Sequence, residues 1–541
     1  MIAEDIQTVH AAFAATAARW PDRDMIHVLP DTASAYGIAP GALSYRAAAE
    51  AVDALASMLE QAGYGAGHRV MLLMENRPAF FLWWLALNRL GASVVPVNPD
   101  LRASELTYMI GHGEPALAVA LPGRGTDLRA AADQAGIVMA VIAPGEAIPA
   151  PRDGARIAPC DGPRTGHEAA LLYTSGTTGQ PKGCVLPNSY FLMAGRWYAA
   201  AGGLCALTLD GERMITPLPV FHMNAMAYSF MAMIAVGGCL TVLDRFHPRA
   251  WWADVRDSGA TCLHYLGVMP TMLMGAPESA LDRAHNVRFG FGAGVDPKLH
   301  AAFEERFGFP LVEAWAMTET GAGAVICANH PPRRVGESCL GRPGPEVEIR
   351  IMDDAGRDTG GTPGELLVRH AGPDPQLGFF AGYFRNAAAT DEAWQGGWFH
   401  TGDIVRQEAD GAMFFVDRKK NVIRRSGENI AAVEVESTLL RHPAITGAAV
   451  TAVPDAVRGD EVFACLVVNT APTADLAREI ADWGLRQMAY YKVPGYIAFV
   501  GDLPLTATQK LQRAQLKTLA AELLTDPATH DLRALKKRTA A

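Results

Sequence analysis

An apolar run that leads directly into a loop of glycines and hydroxyl residues is the feature that most restricts what this chain can form. Residues 169–172 are Ala-Ala-Leu-Leu, and Tyr-Thr-Ser-Gly-Thr-Thr-Gly-Gln-Pro-Lys-Gly follows at 173–183. The pattern predicts a strand that delivers a loop whose backbone can approach an anion closely. Backbone N–H groups, hydroxyls and an ammonium group suit a polyphosphate. A flexible linker would have a similar composition, so the rest of the chain must decide.

Length and charge limit the classes of protein that fit. At 541 residues the chain is too long for one hydrophobic core, so two or more domains are expected. Half of the residues are apolar and 19% are charged, which is a globular composition. The net charge is −10, so there is no overall positive field to attract nucleic acid, and we expect no nucleic-acid partner.

The spacing of the cysteines and the length of the hydrophobic segments indicate the cellular compartment of the protein. The eight cysteines form no C-x-x-C pair, which indicates reduced, mostly buried thiols in a cytoplasmic protein. The most hydrophobic window, residues 79–87, is about half the length that a bilayer requires. Asn88 and Arg89 follow it, so the pattern predicts a buried helix and no membrane span.

The spacing of apolar runs predicts an α/β protein. Runs at 70–74 and 92–97 read as buried strands with a helix at 79–90 between them, which favours a parallel α/β unit. Short strands with Gly and Pro turns at 341–369 predict a β-rich subdomain. We therefore expect a large N-terminal domain at 1–417, a hinge at 418–420 and a small mobile α/β domain at 421–541.

Further polar clusters follow the glycine-rich loop in a fixed order. They are Pro-Leu-Pro-Val-Phe-His at 217–222, Gly-Phe-Gly-Ala-Gly at 290–294, Ala-Trp-Ala-Met-Thr-Glu at 314–319, Trp-Phe-His-Thr-Gly-Asp at 398–403, Asp-Arg-Lys-Lys at 417–420, Gly-Glu-Asn at 427–429 and Pro-Leu-Thr-Ala-Thr-Gln-Lys-Leu at 504–511. This ordered set resembles the adenylate-forming superfamily of acyl-CoA synthetases, luciferases and non-ribosomal adenylation domains. The stretch 415–430 looks most like bacterial acyl-CoA ligases of the crotonobetaine/carnitine-CoA ligase type.

The resemblance implies a reaction in two halves that uses ATP, Mg²⁺ and coenzyme A. A small carboxylic acid attacks the α-phosphate of ATP to give acyl-AMP and pyrophosphate, and the thiol of CoA then displaces AMP. The first half brings an anion against a polyanion, at a cost on the order of several kcal/mol in an effective dielectric near 20. Cations and oriented dipoles must offset that repulsion. The resemblance is also compatible with a homodimer, an assembly common in the family.

The family's nucleotide site maps onto named positions of this chain. Thr318 and Glu319 match the α-phosphate and Mg²⁺ positions, and a carboxylate beside phosphates suits a hard cation. Asp403 would accept the ribose hydroxyls, with Arg418 assisting. The β- and γ-phosphates and the adenine would be held by Thr174, Ser175, Gly176, Thr177, Thr178 and Lys182, and by Gly292, Ala293, Gly294 and Trp315.

Four other positions follow from the same resemblance. Lys510, on the small domain, would bridge the reacting carboxylate and the α-phosphate, and Lys420 matches the hinge. Gly427 would lie along the pantetheine tunnel after domain rotation, and His222 would be a gate to the acid. The basic run at 418–425 fits a solvated hinge better than nucleic-acid binding in an acidic chain, with Arg424 or Arg425 as a further suggestion for a CoA phosphate contact.

The acid itself is not fixed by these patterns. Besides His222 and Gly292, the pocket candidates by family position are Asn224, Ala225, Tyr265, Leu266, Gly267 and Ala316. Aromatic faces at Tyr265 and Trp315 would suit a carnitine-like cation, and a medium-chain or aromatic acid fits equally. The chain departs from the family at Ala316, where most relatives carry Gly, and at Gln509, which replaces a Gly before the catalytic lysine.

Two other functions compete with CoA ligation. An adenylating enzyme could pass its acyl group to the phosphopantetheine of a carrier protein, although no carrier domain is visible in the sequence. A non-catalytic nucleotide-binding protein on the same fold is the second, because fold alone does not guarantee activity. The intact set of Thr174, Lys182, Glu319, Asp403 and Lys510 argues against it.

Overall fold

A computed structural model describes residues 1–156, 158, 162–174, 180–353, 355–359, 361–418, 422–504 and 511–537, with only the backbone at Pro122, Asp417, Arg418 and Ala514. Its α-helices are α1 Val9–Arg19, α2 Pro30–Tyr36, α3 Tyr45–Ala62, α4 Pro78–Arg89, α5 Ala103–Gly113, α6 Gly125–Ala135, α7 Asn188–Ala200, α8 Met231–Val236, α9 Trp251–Ser258, α10 Val268–Met274, α11 Pro297–Phe307, α12 Ala387–Ala393, α13 Ala432–Leu439, α14 Ala474–Gln487 and α15 Arg513–Leu523. A π-helical segment, Asn224–Phe230, runs directly into α8.

The strands alternate with these helices along most of the chain. They are β1 Asp24–Val28, β2 Gly41–Ser44, β3 Arg69–Leu73, β4 Ser93–Pro96, β5 Leu117–Ala120, β6 Ala140–Ile142, β7 Glu168–Thr174, β8 Lys182–Pro187, β9 Arg213–Thr216, β10 Cys239–Val242, β11 Cys262–Leu266, β12 Phe289–Ala293, β13 Leu311–Trp315, β14 Ile326–Cys327, β15 Cys339–Pro343, β16 Val347–Met352, β17 Gly364–His370, β18 Gly382–Tyr383, β19 Phe399–Gln407, β20 Met413–Arg418, β21 Val422–Arg425, β22 Glu428–Ala431, β23 Ile445–Asp455, β24 Gly459–Val468, β25 Tyr496–Phe499 and β26 His530–Asp531.

The first sheet carries the predicted parallel unit. Its strand order is β18-β8-β7-β4-β3-β5-β6, and β3 pairs in parallel with β4, with α4 between them in the chain. Helix α4 begins at Pro78, where a missing N–H costs nothing. Apolar residues lie on every side of this helix, which is typical of a buried helix, and Phe80, Trp84 and Leu87 are fully buried. The α/β unit and the buried helix are confirmed.

The second sheet joins a parallel half to an antiparallel half. Strands β13-β12-β11-β9-β10-β1 are parallel, whereas β16-β17-β19-β20-β15-β14 are antiparallel and form the predicted β-rich subdomain. Because parallel strands end at one edge of a sheet, the residues after β11, β12 and β13 lie side by side. The active-site candidates at 265–267, 292–294 and 315–319 come from that edge.

The small C-terminal domain has a sheet of its own. Strands β22-β21-β24-β25-β26, with β23 on β24, pack α13, α14 and α15 over two apolar clusters that include Val462 and Phe463. The fold class is thereby confirmed: a large N-terminal α/β domain with a β-rich part, and a small C-terminal α/β domain. Among the described residues no helix is long and apolar enough to cross a membrane.

Candidate active site

A cavity of about 510 Å³ lies between the two domains. The large domain contributes residues from both sheets to its wall, and the small domain contributes Val422, Arg424, Gly427 and Asn429. The predicted site residues that line it are Thr174, Lys182, His222, Asn224, Leu266, Ala316, Thr318, Glu319, Asp403 and Gly427. The fold therefore brings side chains that lie far apart in the sequence around one space.

Glu319 is the centre of a polar group on one wall of this cavity. The Tyr383 hydroxyl donates to Glu319 Oε1 at 2.9 Å, and the Thr174 hydroxyl donates to the same oxygen at 3.5 Å. Lys182 Nζ lies 4.6 Å from the centre of the Tyr383 ring, a cation–π contact. Burial and the Glu319 charge raise the pKa of Tyr383, so the phenol keeps its proton as the donor. The group places one cation, one carboxylate and two hydroxyls together.

Asp403 is held in the cavity wall by an indole group and a threonine hydroxyl. Trp315 Nε1 donates to Asp403 Oδ2 at 2.8 Å, and the Asp403 N–H donates to the Thr401 hydroxyl at 3.0 Å. Asp403 is 1% exposed. Arg418 pairs opposite Asp403 in the antiparallel β19–β20 ladder, although its side chain lies outside what the structure describes. Asp403 is thus fixed in one orientation at the cavity wall.

The loop after β12 lies beside the loop after β13 and is braced from below. The Glu313 carboxylate accepts the N–H groups of Gly294 at 3.0 Å and of Val295 at 2.9 Å, and the Tyr265 hydroxyl at 3.0 Å. Gly292, Ala293, Gly294 and Trp315 are therefore adjacent to the cavity at the sheet edge but are not among its lining residues. Trp315 reaches the site through its hydrogen bond to Asp403.

His222 lies where the main cavity meets a second one of about 140 Å³. Thr174, His222, Thr318 and Asn429 line both spaces. The His222 side chain is 42% exposed, and its Nε2 lies 3.5 Å from Glu428 Oε2 of the small domain. The second cavity is walled by both domains, including Asn98 and Tyr491. It forms an approach to the main cavity along the domain boundary.

The β21–β22 hairpin places Gly427 against the large domain. Arg425 pairs with Glu428, so Ser426 and Gly427 form a two-residue turn with φ values of 51° and 90°. Such a turn needs positive φ at both positions and strongly favours glycine. A Cβ at position 427 would clash with Leu266 Cδ1. The positive φ and the close approach of Leu266 therefore both favour glycine at position 427.

Several predicted pocket residues do not face the cavity. Tyr265 is 1% exposed with its hydroxyl bound to Glu313, so it offers no aromatic face to an acid, in contrast to the expectation. Ala225 is packed in the core. Gly267 lies against the backbone of Gly294, where a Cβ would clash with the carbonyl oxygen. Arg425 is 2% exposed and ion-paired with Glu461 at 2.8 Å, so it is not free to contact a CoA phosphate.

Other predicted residues lie outside the described part of the chain. They are Ser175, Gly176, Thr177, Thr178, Lys420 and Lys510. Both flanks of the glycine-rich loop are described, because Thr174 ends β7 and Lys182 begins the antiparallel β8. Thr174 and Lys182 are register partners, so the loop closes a hairpin whose two ends line the cavity.

Sequence reasoning missed three groups that shape this site. Tyr383 orients Glu319 and packs on Lys182, Glu313 braces the loop after β12, and Glu365 accepts the Gly402 N–H at 3.2 Å. Tyr383 and Glu313 belong to no glycine-rich or charged cluster in the sequence, and Glu365 follows a glycine-rich turn that carries no other functional residue type.

Family comparison covers most of the chain. The sequence model described as AMP-binding enzyme matches residues 13–384, more than half of the chain. The model described as AMP-binding enzyme C-terminal domain matches residues 434–510. Sulfoacetate--CoA ligase of Cupriavidus necator H16 is 31% identical over 95% of this chain and 98% of its own. Crotonobetaine/carnitine--CoA ligase of Salmonella paratyphi A is 30% identical over 88% of this chain and 93% of its own.

Solved structures share the fold over nearly the whole length. A double mutant of o-succinylbenzoate CoA synthetase from Bacillus subtilis, bound to a product analogue, has a TM-score of 0.79 at 22% identity and covers 94% of this chain and 98% of its own. A malonyl-CoA ligase with methylmalonyl-CoA and AMP bound has a TM-score of 0.72 at 27% identity and covers 89% of this chain and 97% of its own. The two-domain architecture is common to all three proteins.

Proposed function

The chain belongs to the AMP-binding enzyme family and is an ATP-dependent, AMP-forming carboxylate–CoA ligase; on that premise we propose which of its residues carry each half-reaction. The observation that supports the assignment is the convergence of Thr174, Lys182, Glu319 and Asp403 on one cavity. Asp403 binds the ribose in that cavity. Lys182 and Thr174 bind the β- and γ-phosphates, together with the hydroxyl residues at 175–178 that lie outside the described part of the chain.

The adenylation half forms a bond between a carboxylate oxygen of the acid and the α-phosphorus of ATP. The bond from that phosphorus to the β-phosphate bridging oxygen breaks, and pyrophosphate leaves with the electron pair. Lys182 offsets charge on the departing pyrophosphate, and Thr318 donates to the α-phosphate. We assign Lys510 to the reacting carboxylate and the α-phosphate.

Magnesium fits the donor set around Glu319. Mg²⁺ is held in proteins through one or two carboxylates, with phosphates and water completing an octahedron. Glu319 supplies a carboxylate whose Oε1 is bound by Tyr383, and the neighbouring hydroxyl of Thr174 is neutral. Glu319 would hold the ion, which supplies positive charge to the phosphates when bound. No cluster of three metal-ligating side chains is needed, and the described residues contain none.

The second half uses the approach at the domain boundary. The CoA thiol gives up its proton to solvent and its sulfur bonds to the acyl carbonyl carbon, while the bond from that carbon to the AMP phosphate oxygen breaks and AMP leaves with the electron pair. We assign the cavity of about 140 Å³ to the pantetheine arm, because it reaches the main cavity at His222 and carries small-domain walls. The hairpin with Gly427 lies over the main cavity, so the observed domain arrangement suits this step rather than adenylation. Rotation of the small domain about 418–420 would exchange the two arrangements.

Location and assembly complete the proposal. The described cysteines are unpaired thiols, which supports a cytoplasmic location. A homodimer is the assembly proposed from the family resemblance, and sedimentation of the purified protein measures it.

A panel of carboxylic acids tests the function. Acid-dependent release of pyrophosphate and mass-spectrometric detection of acyl-CoA are expected in the presence of Mg²⁺. The panel includes anionic and cationic acids, because the relatives' names cover sulfoacetate and crotonobetaine/carnitine. An acyl-carrier product without acyl-CoA would redirect the assignment to a carrier-acylating enzyme.

Lys510 has a test that separates the halves. Lys510→Ala is expected to abolish acid-dependent ATP–pyrophosphate exchange and to leave transfer from supplied acyl-AMP to CoA largely intact. Equal loss in both halves would overturn its assignment.

A further inference from the structure

A buried chain of hydrogen bonds ends at the cavity beside the apolar residues Met223 and Leu266. Asn224 Oδ1 lies 2.7 Å from His264 Nδ1, and the Tyr198 hydroxyl lies 3.0 Å from His264 Nε2. The Ser229 hydroxyl is 2.9 Å from His264 Nδ1 and 3.4 Å from Asn224 Oδ1. Three separate elements, α7, β11 and the π-helical segment, meet in this chain.

The proton positions in this chain of hydrogen bonds follow from burial and from the partners of His264. His264 is 0% exposed, and burial lowers its pKa to about 3, so the imidazole is neutral and has a single N–H. Asn224 Oδ1 lies 2.7 Å from Nδ1 and can only accept, which places the N–H of His264 on Nδ1. Nε2 is then the acceptor, and burial raises the pKa of Tyr198, so its hydroxyl keeps the proton that it donates to Nε2.

Two contacts hold the Asn224 amide in this orientation. Its Oδ1 is held by the His264 N–H and by the Ser229 hydroxyl. Its Nδ2 is then turned away from His264, while the side chain lines the cavity. Within the described part of the chain no protein acceptor takes the Nδ2 hydrogens. A donor left without an acceptor after desolvation costs about 1–3 kcal/mol. An acid that supplies an acceptor should therefore bind more tightly than one that does not.

We propose that Asn224 selects acids whose acyl group carries a hydrogen-bond-accepting oxygen away from the reacting carboxylate, with His264 and Tyr198 as positioning residues. The inference rests on the ligase function proposed above and defines its substrate class. A hydroxyl, carbonyl or second oxoacid group satisfies the Asn224 donor. A trimethylammonium end has no acceptor to offer to this donor.

Matched acids test this selection. Each pair exchanges a hydroxyl for a methyl group at a constant number of non-hydrogen atoms, as in 3-hydroxypropanoate with butanoate and 4-hydroxybutanoate with pentanoate. We expect kcat/KM for acid-dependent pyrophosphate release to favour the oxygen-bearing acid by about tenfold or more in at least one pair, as an unsatisfied donor implies. Asn224→Leu keeps the branched shape of the side chain and removes the donor, so the ratio of kcat/KM values within a pair should fall to about threefold or less.

A double-mutant cycle tests the positioning residues. His264→Phe should lower the ratio as Asn224→Leu does, and the double variant should lower it no further, because both act through one amide. A merely structural effect of His264 would reduce rates for both acids alike and leave the ratio unchanged. If His264→Phe does not fold, Tyr198→Phe removes the hydroxyl that fixes the tautomer and serves instead.

The outcomes separate this inference from the function beneath it. Equal use of both members of every pair by the wild type overturns the inference, as does an unchanged ratio in Asn224→Leu. Either result leaves the ligase function standing, because acids are still activated. Absence of pyrophosphate release with every acid contradicts the ligase function and this inference with it.

Discussion

At the residue scale, Glu319 shows how a motif acquires its geometry from a residue outside it. The Thr-Glu pair was predicted from its neighbours in the sequence, whereas its partner Tyr383 comes from the short strand β18 on the other sheet. The Tyr383 hydroxyl binds one Glu319 oxygen and so orients the carboxylate in the cavity wall. The sequence predicted a functional carboxylate at position 319 but not the orientation of that carboxylate.

The first prediction concerns this carboxylate. Glu319→Gln removes the charge that would hold Mg²⁺, so acid-dependent ATP–pyrophosphate exchange should fall by about a hundredfold or more, the scale of losing a charged transition-state contact. Tyr383→Phe is the matched control, because it keeps the ring beneath Lys182 and removes one hydrogen bond without changing the charge of the site. It should cost about tenfold or less. A larger loss in Tyr383→Phe than in Glu319→Gln would contradict the roles given to the two residues.

The second prediction concerns His264 and pH. Its pKa is about 3 when folded and near 6.5 as an ordinary histidine, so the unfolded chain binds a proton that the folded chain does not. The contribution of His264 to the free energy of unfolding is fully present above pH 6.5. It is lost as the pH falls toward 3, by roughly 1.4 kcal/mol per pH unit. Tyr198, Asn224, Ser229 and Phe291 surround the ring, and the first three contact its nitrogens.

Unfolding midpoints measured between pH 7 and 4 test this. His264→Gln cannot titrate in this range, so its stability should fall less steeply with acidification than that of the wild type. Parallel curves for the two proteins would show that the buried histidine already binds its proton in the folded state.

At the scale of elements, strands were easier to predict than the contacts between them. The apolar runs that became β3, β4, β7, β10 and β11 are fully or largely buried, so their composition alone marks them. Parallel pairing predicts that β11, β12 and β13 end at the same edge of the sheet. It does not predict where the Tyr265 side chain points. Successive side chains of a strand alternate between its two faces, so a shift of one residue would turn Tyr265 from Glu313 to the cavity. Likewise, the π-helical segment that presents Asn224 has no period that distinguishes it from an α-helix.

The third prediction concerns the β21–β22 hairpin. Gly427→Ala introduces a Cβ that clashes with Leu266 when the hairpin lies over the cavity, so the CoA step should slow by about tenfold or more while pyrophosphate exchange is retained. Gly411→Ala is the matched control, because Gly411 has a similar φ of 83° with open space around it. Gly411→Ala should leave the ratio of the rates of the two half-reactions unchanged. Normal thioester formation by Gly427→Ala would rule out this docking as the arrangement for the CoA step.

At the scale of the whole molecule, the observed arrangement is held by polar contacts across the domain boundary. Lys492 of the small domain bonds Glu105 of the large domain and lies 2.6 Å from Glu434 of its own. Burial alone would lower the pKa of Lys492, but the two carboxylates raise it, so the ammonium stays charged. Asn98 donates to the Tyr491 hydroxyl at 3.1 Å beside it. These contacts exist only while the small domain lies as observed.

The fourth prediction follows from that dependence. Lys492→Met leaves Glu105 and Glu434 facing each other in a buried space, a loss on the order of 3–5 kcal/mol for a broken buried pair. The penalty applies to the arrangement assigned to the CoA step, so acyl transfer from supplied acyl-AMP should fall by about tenfold or more and pyrophosphate exchange much less.

Arg513→Met is the control, because it breaks a pair with Glu436 inside the small domain. It should lower stability without changing the ratio of the two half-reactions. If Lys492→Met and Arg513→Met act alike, the cross-domain contact has no special part in the CoA step.

The two-domain organisation was itself predictable, since a chain of this length needs more than one core and a charged junction follows β20. The orientation of the domains was not, because it depends on single contacts such as Lys492 with Glu105 that have no local pattern.

The central claim is that one cavity joins an acid to AMP and then to a thiol. The most direct test is to incubate the protein with ATP, Mg²⁺, CoA and an oxygen-bearing acid and to quantify every product. The account predicts AMP, pyrophosphate and acyl-CoA in equal amounts, all dependent on the acid. Release of ADP and phosphate, or no consumption of ATP with any acid of the panel, would contradict it.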